Sequence, residues 1–509
     1  MTSVSDLEVL EDEDLDDDVE GDVECDVEGD VDDENKPTAA TAVGCLFAAI
    51  GVLIGFKSLG DNSFLTHLQT GELFLRDGFF STDPYTFTGD PDAPVVVQSW
   101  LASLIYAVLN RLGGGVALQL FRAVLTAALA SLVWRLSSTT TFIDRPNMVL
   151  ARVAAVAPAV FLGLFMWSER PLLFGLAGIA ATLYVANNKV SAKPLALVGL
   201  LWVWTHGSFP LGIALLGALA VGSRLDGRKP VRELTAMAWL TAGVLVGGVA
   251  NPYGPDLLLF PLELLQRGEV LSHIAEWKPL DPGSILAQIF LIGAVLMVVS
   301  LVRVRTFRST LAGLTFLVLA VMSVRNMSVA AIVFVPIIAQ GFHGVGQTPD
   351  TRRSEWTEKM VVLTSVAALF IAIASVFTQP TWSLDRYPID ALDWMEETAI
   401  LDADAADPVR FAHPDFAGNF IELRYDADVP VFIDDRYEFH SLDLVNDYLS
   451  LFFAEDDWQD GLDTHSIDIV MWTEGSDLAE ELESAPAWST AYEDDNWIIS
   501  CRNNACPGN

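Results

Sequence analysis

Positive charge is missing from the first 35 residues of this chain, which contain neither lysine nor arginine. A secretory leader opens with a basic stretch, so the first apolar run, residues 41–57, is expected to stay as a membrane span. Eighteen acids fall in that opening segment, alternating with Val, Gly and Leu. Such a composition cannot bury enough apolar surface to fold, and residues 1–38 read as a disordered, solvated cytoplasmic tail. Four cysteines settle little: Cys501 and Cys506 could close one small disulfide if the C-terminus is extracytoplasmic, while Cys25 and Cys45 have no evident partner. No basic patch suited to nucleic acid exists. After Pro380 the chain has no phosphate-cradling glycine loop, zinc-ligand spacing or nucleophile elbow.

What is present is an apolar middle between two acidic ends. The chain is 52% apolar, with mean hydropathy +0.39, yet its formal charge is −38. Eighteen of its 67 acids precede Asn35 and thirty-one follow Trp382. Residues 39–379 hold the long apolar runs and most of the Lys and Arg. The fold class expected is a mainly α polytopic membrane helix bundle followed by a soluble α/β domain over residues 380–509.

Eleven stretches suit membrane helices: 39–59, 116–135, 148–167, 171–187, 194–206, 208–223, 233–250, 284–302, 309–324, 327–341 and 360–378. Five short loops carry fifteen basic residues, among them Arg145, Lys189, Arg228, Arg305 and Arg353. All five fall on the cytoplasmic side only if each of three long apolar regions crosses twice, which the positive-inside rule favours. The expected localisation is the plasma membrane, N-terminus inside and C-terminal domain outside. The outer loop 60–115 and the loop 251–283 then share one face, where Asp61, His67, Glu169, Arg170, His206, Glu276 and Arg325 converge. Ionisable groups at membrane helix ends are costly and often functional. Residues 99–112 are too short to span and are expected at the outer interface, with Trp100 and Tyr106 as anchors.

Beyond Pro380, β-type runs at 409–412, 430–434, 467–472, 488–492 and 497–501 alternate with helical stretches at 389–398, 442–453 and 477–483. Asp434-Asp435-Arg436 follows one such run, where open α/β sheets place ligands, though a surface turn is the simpler reading.

The outer loop holds the most specific text: Asp61-Asn62-Ser63-Phe64-Leu65-Thr66-His67-Leu68, then Asp83-Pro84-Tyr85-Thr86-Phe87-Thr88, then Gln98-Ser99-Trp100. This resembles the first outer loop of the GT-C superfamily, membrane glycosyltransferases that take sugar from a polyprenyl phosphate, and most closely its RgtA/B/C/D-like branch. Trp204-Thr205-His206, Asn251-Pro252-Tyr253-Gly254 and Glu276-Trp277 extend the likeness over most of residues 40–345. The resemblance implies a polyprenyl-phosphate-linked sugar as donor, membrane lipid around it, and an outer-face glycan, lipid or protein as acceptor. It implies that Asp61 acts as base or orients the acceptor, a role chemically suited to a carboxylate; capping of the following helix is the local alternative. Many members place a second acid, sometimes a ligand of a divalent cation, in the next outer loop. Here that loop offers Glu169, where Asp is usual, beside Arg170, with which it could form a local ion pair. Arg170 or Arg325 could grip a lipid phosphate, and His67 or His206 could bind phosphate or relay a proton. Asp83-Pro84 reads as a turn. A rival class is a non-catalytic scaffold or lipid-glycan transporter that kept the fold.

Overall fold

The computed structural model describes residues 36–138, 148–343, 345, 352–402, 405, 408–502 and 505–506; the acidic segment before Lys36 lies outside them. Helix α1 (Ala39–Gly55) starts at Thr38, whose hydroxyl accepts the Thr41 N–H at 3.1 Å. Two elements follow, α2 (Asn62–Arg76) and the long α3 (Trp100–Leu136). The apolar sequence continues as α4 (Val149–Met166), α5 (Leu172–Asn187), α6 (Leu195–Thr205), α7 (Phe209–Leu225) and α8 (Val231–Val249). A loop bearing α9 (Asp256–Gln266) and α10 (Gly268–Leu271) leads to α11 (Ile285–Val304), α12 (Phe307–Met322), α13 (Met327–Gly341) and α14 (Glu355–Thr378).

All eleven stretches read as spans contain helix. Among the described residues, five helical segments are long and apolar enough to cross a membrane: α3, α4, α11, Val324–Gly341 and α14. Helices α1, α5, α6, α7 and α12 are apolar but shorter, at 10–17 residues. On α14, Val362, Leu363, Leu369 and Phe370 all face outward, a surface compatible with lipid and hostile to water. Close helix contact rests on small residues: a Cβ on Gly55 would lie 2.1 Å from Ala123 Cα, so α1 and α3 meet backbone to backbone.

Residues 99–112 differ from expectation. They form the first limb of α3, which turns at Gly113 and Gly114 and continues inward; Gly114 has φ 59°, a conformation glycine adopts without penalty. Tyr106 is buried, its ring 5.1 Å from Phe64 rather than at a lipid surface.

The C-terminal part contains α15 (Ile389–Glu397), α16 (Asp415–Arg424), α17 (Leu442–Phe452), α18 (Trp458–Thr464), β1 (Ile469–Thr473), α19 (Asp477–Ser484), β2 (Trp488–Glu493) and β3 (Trp497–Arg502). Its sheet is antiparallel, in the order β1-β3-β2, with Ile469 opposite Cys501 and Trp488 opposite Arg502. The expected open α/β sheet is therefore corrected. Two of the five β-type runs reach only single bridges, Ala412 to Val470 and Val431 to Thr86 of the outer loop. Short extended runs ending in His413-Pro414 and Asp434-Asp435 turn away before a ladder can build. Cys501 and Cys506 form the disulfide. One core joins this part to the outer loop: Phe64, Leu65, Leu68 and Tyr106 pack with Tyr387, Ile421, Met471 and Ile499.

Candidate functional site

Asp61 occupies the N-cap position of α2 but makes no side-chain cap bond, which removes the capping alternative. Both of its carboxylate oxygens instead accept from Arg170 Nε at 2.7 Å. Arg170 also pairs with Glu276, which the short turn Ala275–Trp277 carries in from the distant outer loop. Asp61 and Glu276 outweigh burial and hold the Arg170 guanidinium above its ordinary range. The local Glu169–Arg170 pair suggested by adjacency does not form. Glu169 turns inward, pairing with Arg122 of α3, both side chains almost fully buried. Its other oxygen accepts the Gly60 N–H at 2.9 Å and the Asp61 N–H at 3.1 Å. Arg122 anchors further on the Gly55 carbonyl at 2.9 Å and on that of Lys57. One buried ion pair thus fixes the backbone that aims Asp61. Beside it lies a narrow apolar recess, with room for no more than about one water molecule, lined by Phe64, Tyr106, Phe121 and Leu173.

The C-terminal part supplies a second set of charges that sequence reasoning placed on a surface turn. Asp434 is fully buried. It accepts from Arg436 Nε at 3.0 Å and Nη2 at 2.5 Å, and His440 Nε2 lies 3.1 Å away. Burial would raise the Asp434 carboxyl, but Arg436 and His440 win and hold it well below the usual range. Burial and the Asp434 charge push the equally buried Glu422 the other way, well above its usual range. Glu422 Oε1 has no well-formed hydrogen bond, yet its carboxyl interacts with Asp434; a proton on Glu422 directed at Asp434 serves both. Asp435 is only partly buried. Its oxygens accept from Asn419 Nδ2 at 2.5 Å and from Asn62 Nδ2 at 2.8 Å, Asn62 being the residue after Asp61.

These charges are clamped by the outer-loop motif. Asp83 makes the expected turn, accepting the Thr86 hydroxyl at 2.6 Å, and its other oxygen holds Arg436 Nη2 at 2.7 Å. The Arg436 guanidinium stacks 4.5 Å over the Tyr85 ring. Tyr85 and Phe87 exchange backbone hydrogen bonds with Val431. The most specific text of the outer loop therefore docks the C-terminal part.

Three of the seven residues singled out from sequence, Asp61, Arg170 and Glu276, share one ion cluster, with Glu169 directly behind. Arg325 sits over the Trp277 ring at 5.2 Å and makes no hydrogen bond or ion pair among the described residues. His206 lies within electrostatic reach of Arg325 and His67, its Nδ1 2.7 Å from Ser208 Oγ. His67 Nδ1 is 3.2 Å from Ser103 Oγ. Burial and then Arg170 push its imidazole down to about 4, so it is neutral at pH 7. A divalent cation does not fit this arrangement. The Asp61 oxygens are taken by Arg170 and those of Glu169 by two backbone N–H groups and Arg122. Among the described residues no group of three or more His, Cys, Asp or Glu is placed to hold a metal.

Sequence reasoning missed Arg122, Asn419 and Glu422. Arg122 did carry a signal, a cation in the middle of an apolar stretch, which by default marks a functional or buried partner. Fold and site together define a mainly helical protein, its long apolar helices compatible with membrane insertion, with a charged seam beneath a small α+β cap. No protein-family model and no curated protein matches the chain.

Proposed function

We propose that the chain is an integral membrane glycosyltransferase of eleven spans, moving a sugar from a polyprenyl-phosphate donor to a glycan, lipid or protein at the outer face of the plasma membrane. The observation that carries this reading is Asp61: an acid at the end of an apolar helix, relieved of any capping role and held at a partly exposed seam by Arg170. Arg170 is saturated by two carboxylates, whereas the Arg325 guanidinium is not, so Arg325 is the group to receive the donor phosphate. Its planar fork suits phosphate oxygens, and stacking on Trp277 keeps it oriented. Asp61 accepts a hydrogen bond from the acceptor hydroxyl, whose proton passes to a carboxylate at the seam while its oxygen bonds to the anomeric carbon and the bond to phosphate breaks. The electron pair leaves with the phosphate. Neutral His67, together with His206, offers further hydrogen bonds to sugar or phosphate.

The test is transfer of radiolabel from polyprenyl-phosphate hexoses and pentoses to a membrane extract by the purified protein. Asp61→Asn is expected to lower transfer about 10²-fold or more, since small losses of orientation are that costly. Arg325→Lys keeps the charge and loses the fork, and should raise the donor KM more than it lowers kcat. Loss of neither with an active wild type sinks the assignment. One observation favours the scaffold or transporter reading: the Arg122–Glu169 pair sits deep against the helix core, where transporters keep charge. Donor binding by the wild type without any transfer would establish it.

A further inference from the structure

Resting on the glycosyl-transfer reading, we propose that Asp435 of the C-terminal part, rather than Asp61, takes the proton of the acceptor hydroxyl, while Asp61 orients that hydroxyl.

The two carboxylates stand on either side of Asn62 but in opposite settings. Asp61 gives both oxygens to a guanidinium, and charge-assisted bonds of this kind are about twice as strong as neutral ones. Protonating Asp61 would leave Arg170 with Glu276 alone. Asp435 accepts only from neutral amides, Asn62 Nδ2 and Asn419 Nδ2. An amide can turn its oxygen toward a carboxyl that has gained a proton. Asn62 is free to do so at the loss of one 3.3 Å bond from Arg386 to its Oδ1. Asn419 meanwhile keeps Asp435 in place through the Asp435 N–H at 3.2 Å. Of the three acids gathered there, Asp434 and Glu422 are fully buried. Asp435 alone is partly exposed toward the seam.

The charges facing it agree with this role. Burial raises the Asp435 carboxyl, Arg170 across the seam lowers it, and Asp434 and Asp415 raise it again, leaving it pushed up to about 7. Tyr387 and Tyr437 also lie within its electrostatic reach, and Arg386 holds the Asn62 amide beside it. A base whose proton affinity matches the working pH is the most effective one. In the step itself, the acceptor O–H bond breaks and its proton passes to an Asp435 oxygen. The acceptor oxygen bonds to the anomeric carbon, and the carbon–phosphate oxygen bond breaks with its electron pair leaving on the phosphate. The Asp435 proton is then lost to water.

The experiment is the pH dependence of kcat/KM between pH 5 and 9 for the full-length protein in lipid nanodiscs, with radiolabelled polyprenyl-phosphate hexoses and pentoses as donors and membrane extract as acceptor. Wild type should rise about tenfold per pH unit and level off near pH 7. Asp435→Asn should fall at least 10²-fold and lose that inflection, with donor KM little changed. Asp435→Glu should restore an inflection, and Asp61→Asn should be slow but keep it. An inflection near neutrality that survives Asp435→Asn overturns the assignment of Asp435 while leaving glycosyl transfer standing. A wild type that transfers nothing removes the transfer reading itself, and this proposal with it.

Discussion

Glu169→Gln neutralises one member of the buried Arg122–Glu169 pair while preserving its shape. The side chains are 4% and 6% exposed, so solvent can do little to compensate. Removing one partner of such a pair costs about 3–5 kcal/mol, because the other charge stays buried and unpaired. Arg122 keeps the Gly55 and Lys57 carbonyls, which places the expected loss near the lower limit, about 3 kcal/mol. The Gly60 and Asp61 N–H bonds to Glu169 weaken as well when the acceptor becomes neutral. At about 2–4 °C per kcal/mol, thermal unfolding in nanodiscs, followed by tryptophan fluorescence at one scan rate, should shift down by roughly 6–12 °C. Arg122→Met should cost a similar amount. The double variant should cost far less than the two together, with a coupling of about 2–3 kcal/mol, because an apolar replacement of both charges leaves none orphaned. A Glu169→Gln midpoint within a degree or two of wild type, or strictly additive losses, would refute the view that this pair fixes the Asp61 backbone.

Three further outcomes follow from the charges and the topology. A carboxyl whose proton affinity is raised by folding opposes folding as pH climbs from about 4 through about 7; with Asp435 pushed up to about 7, Asp435→Asn should raise the unfolding midpoint at pH 8 by a few degrees and leave it unchanged at pH 4. Single cysteines at Asp281 and Ser383 in a cysteine-free background should react with an impermeant maleimide on intact cells, and those at Ser191 and Gly227 should not; labelling of the second pair breaks the eleven-span arrangement. Deletion of residues 2–35 should leave membrane insertion and transfer intact, and loss of inserted protein would show that the acids there are needed for it.

The helices were legible because long apolar runs admit little else, and interruptions such as Ser168-Glu169-Arg170-Pro171 and Arg325-Asn326 marked their ends. Asp61, Glu169, Arg170, His206 and Arg325 were legible for the same reason, since they end or interrupt apolar runs. Their partners were not. Glu169 and Arg170 are adjacent in sequence, but the chain turn between them points one side chain into the bundle and the other along the seam. Asp434-Asp435-Arg436 carries the local signature of a turn, and nothing local reveals that Asn62 and Asp83 bond to it. The runs at 409–412 and 430–434 have strand composition, but a ladder needs a neighbour along its whole length. Each found one only at a single residue, Val470 and Thr86. The apolar stretch 99–112 was judged by its own length, whereas Gly113 and Gly114 let it continue into the next.

The shared core of the outer loop and the C-terminal part sets the order in which this protein can mature. The bonds from Asn62 to Asp435 and from Thr66 to Glu422 span 373 and 356 residues of chain, among the most distant pairings a polypeptide of this size can make. Contacts so far apart form late, after the intervening chain has been placed. During synthesis, α2 emerges early and must wait for β3, almost at the other terminus, before Phe64, Leu65 and Leu68 are covered. Until then Asp61 has neither its neighbour across the seam nor a fixed helix behind it. A chain that ends before Trp497 lacks β3, whose Trp497 and Ile499 belong to the core over Phe64, Leu65 and Leu68, so α2 keeps part of its apolar face uncovered.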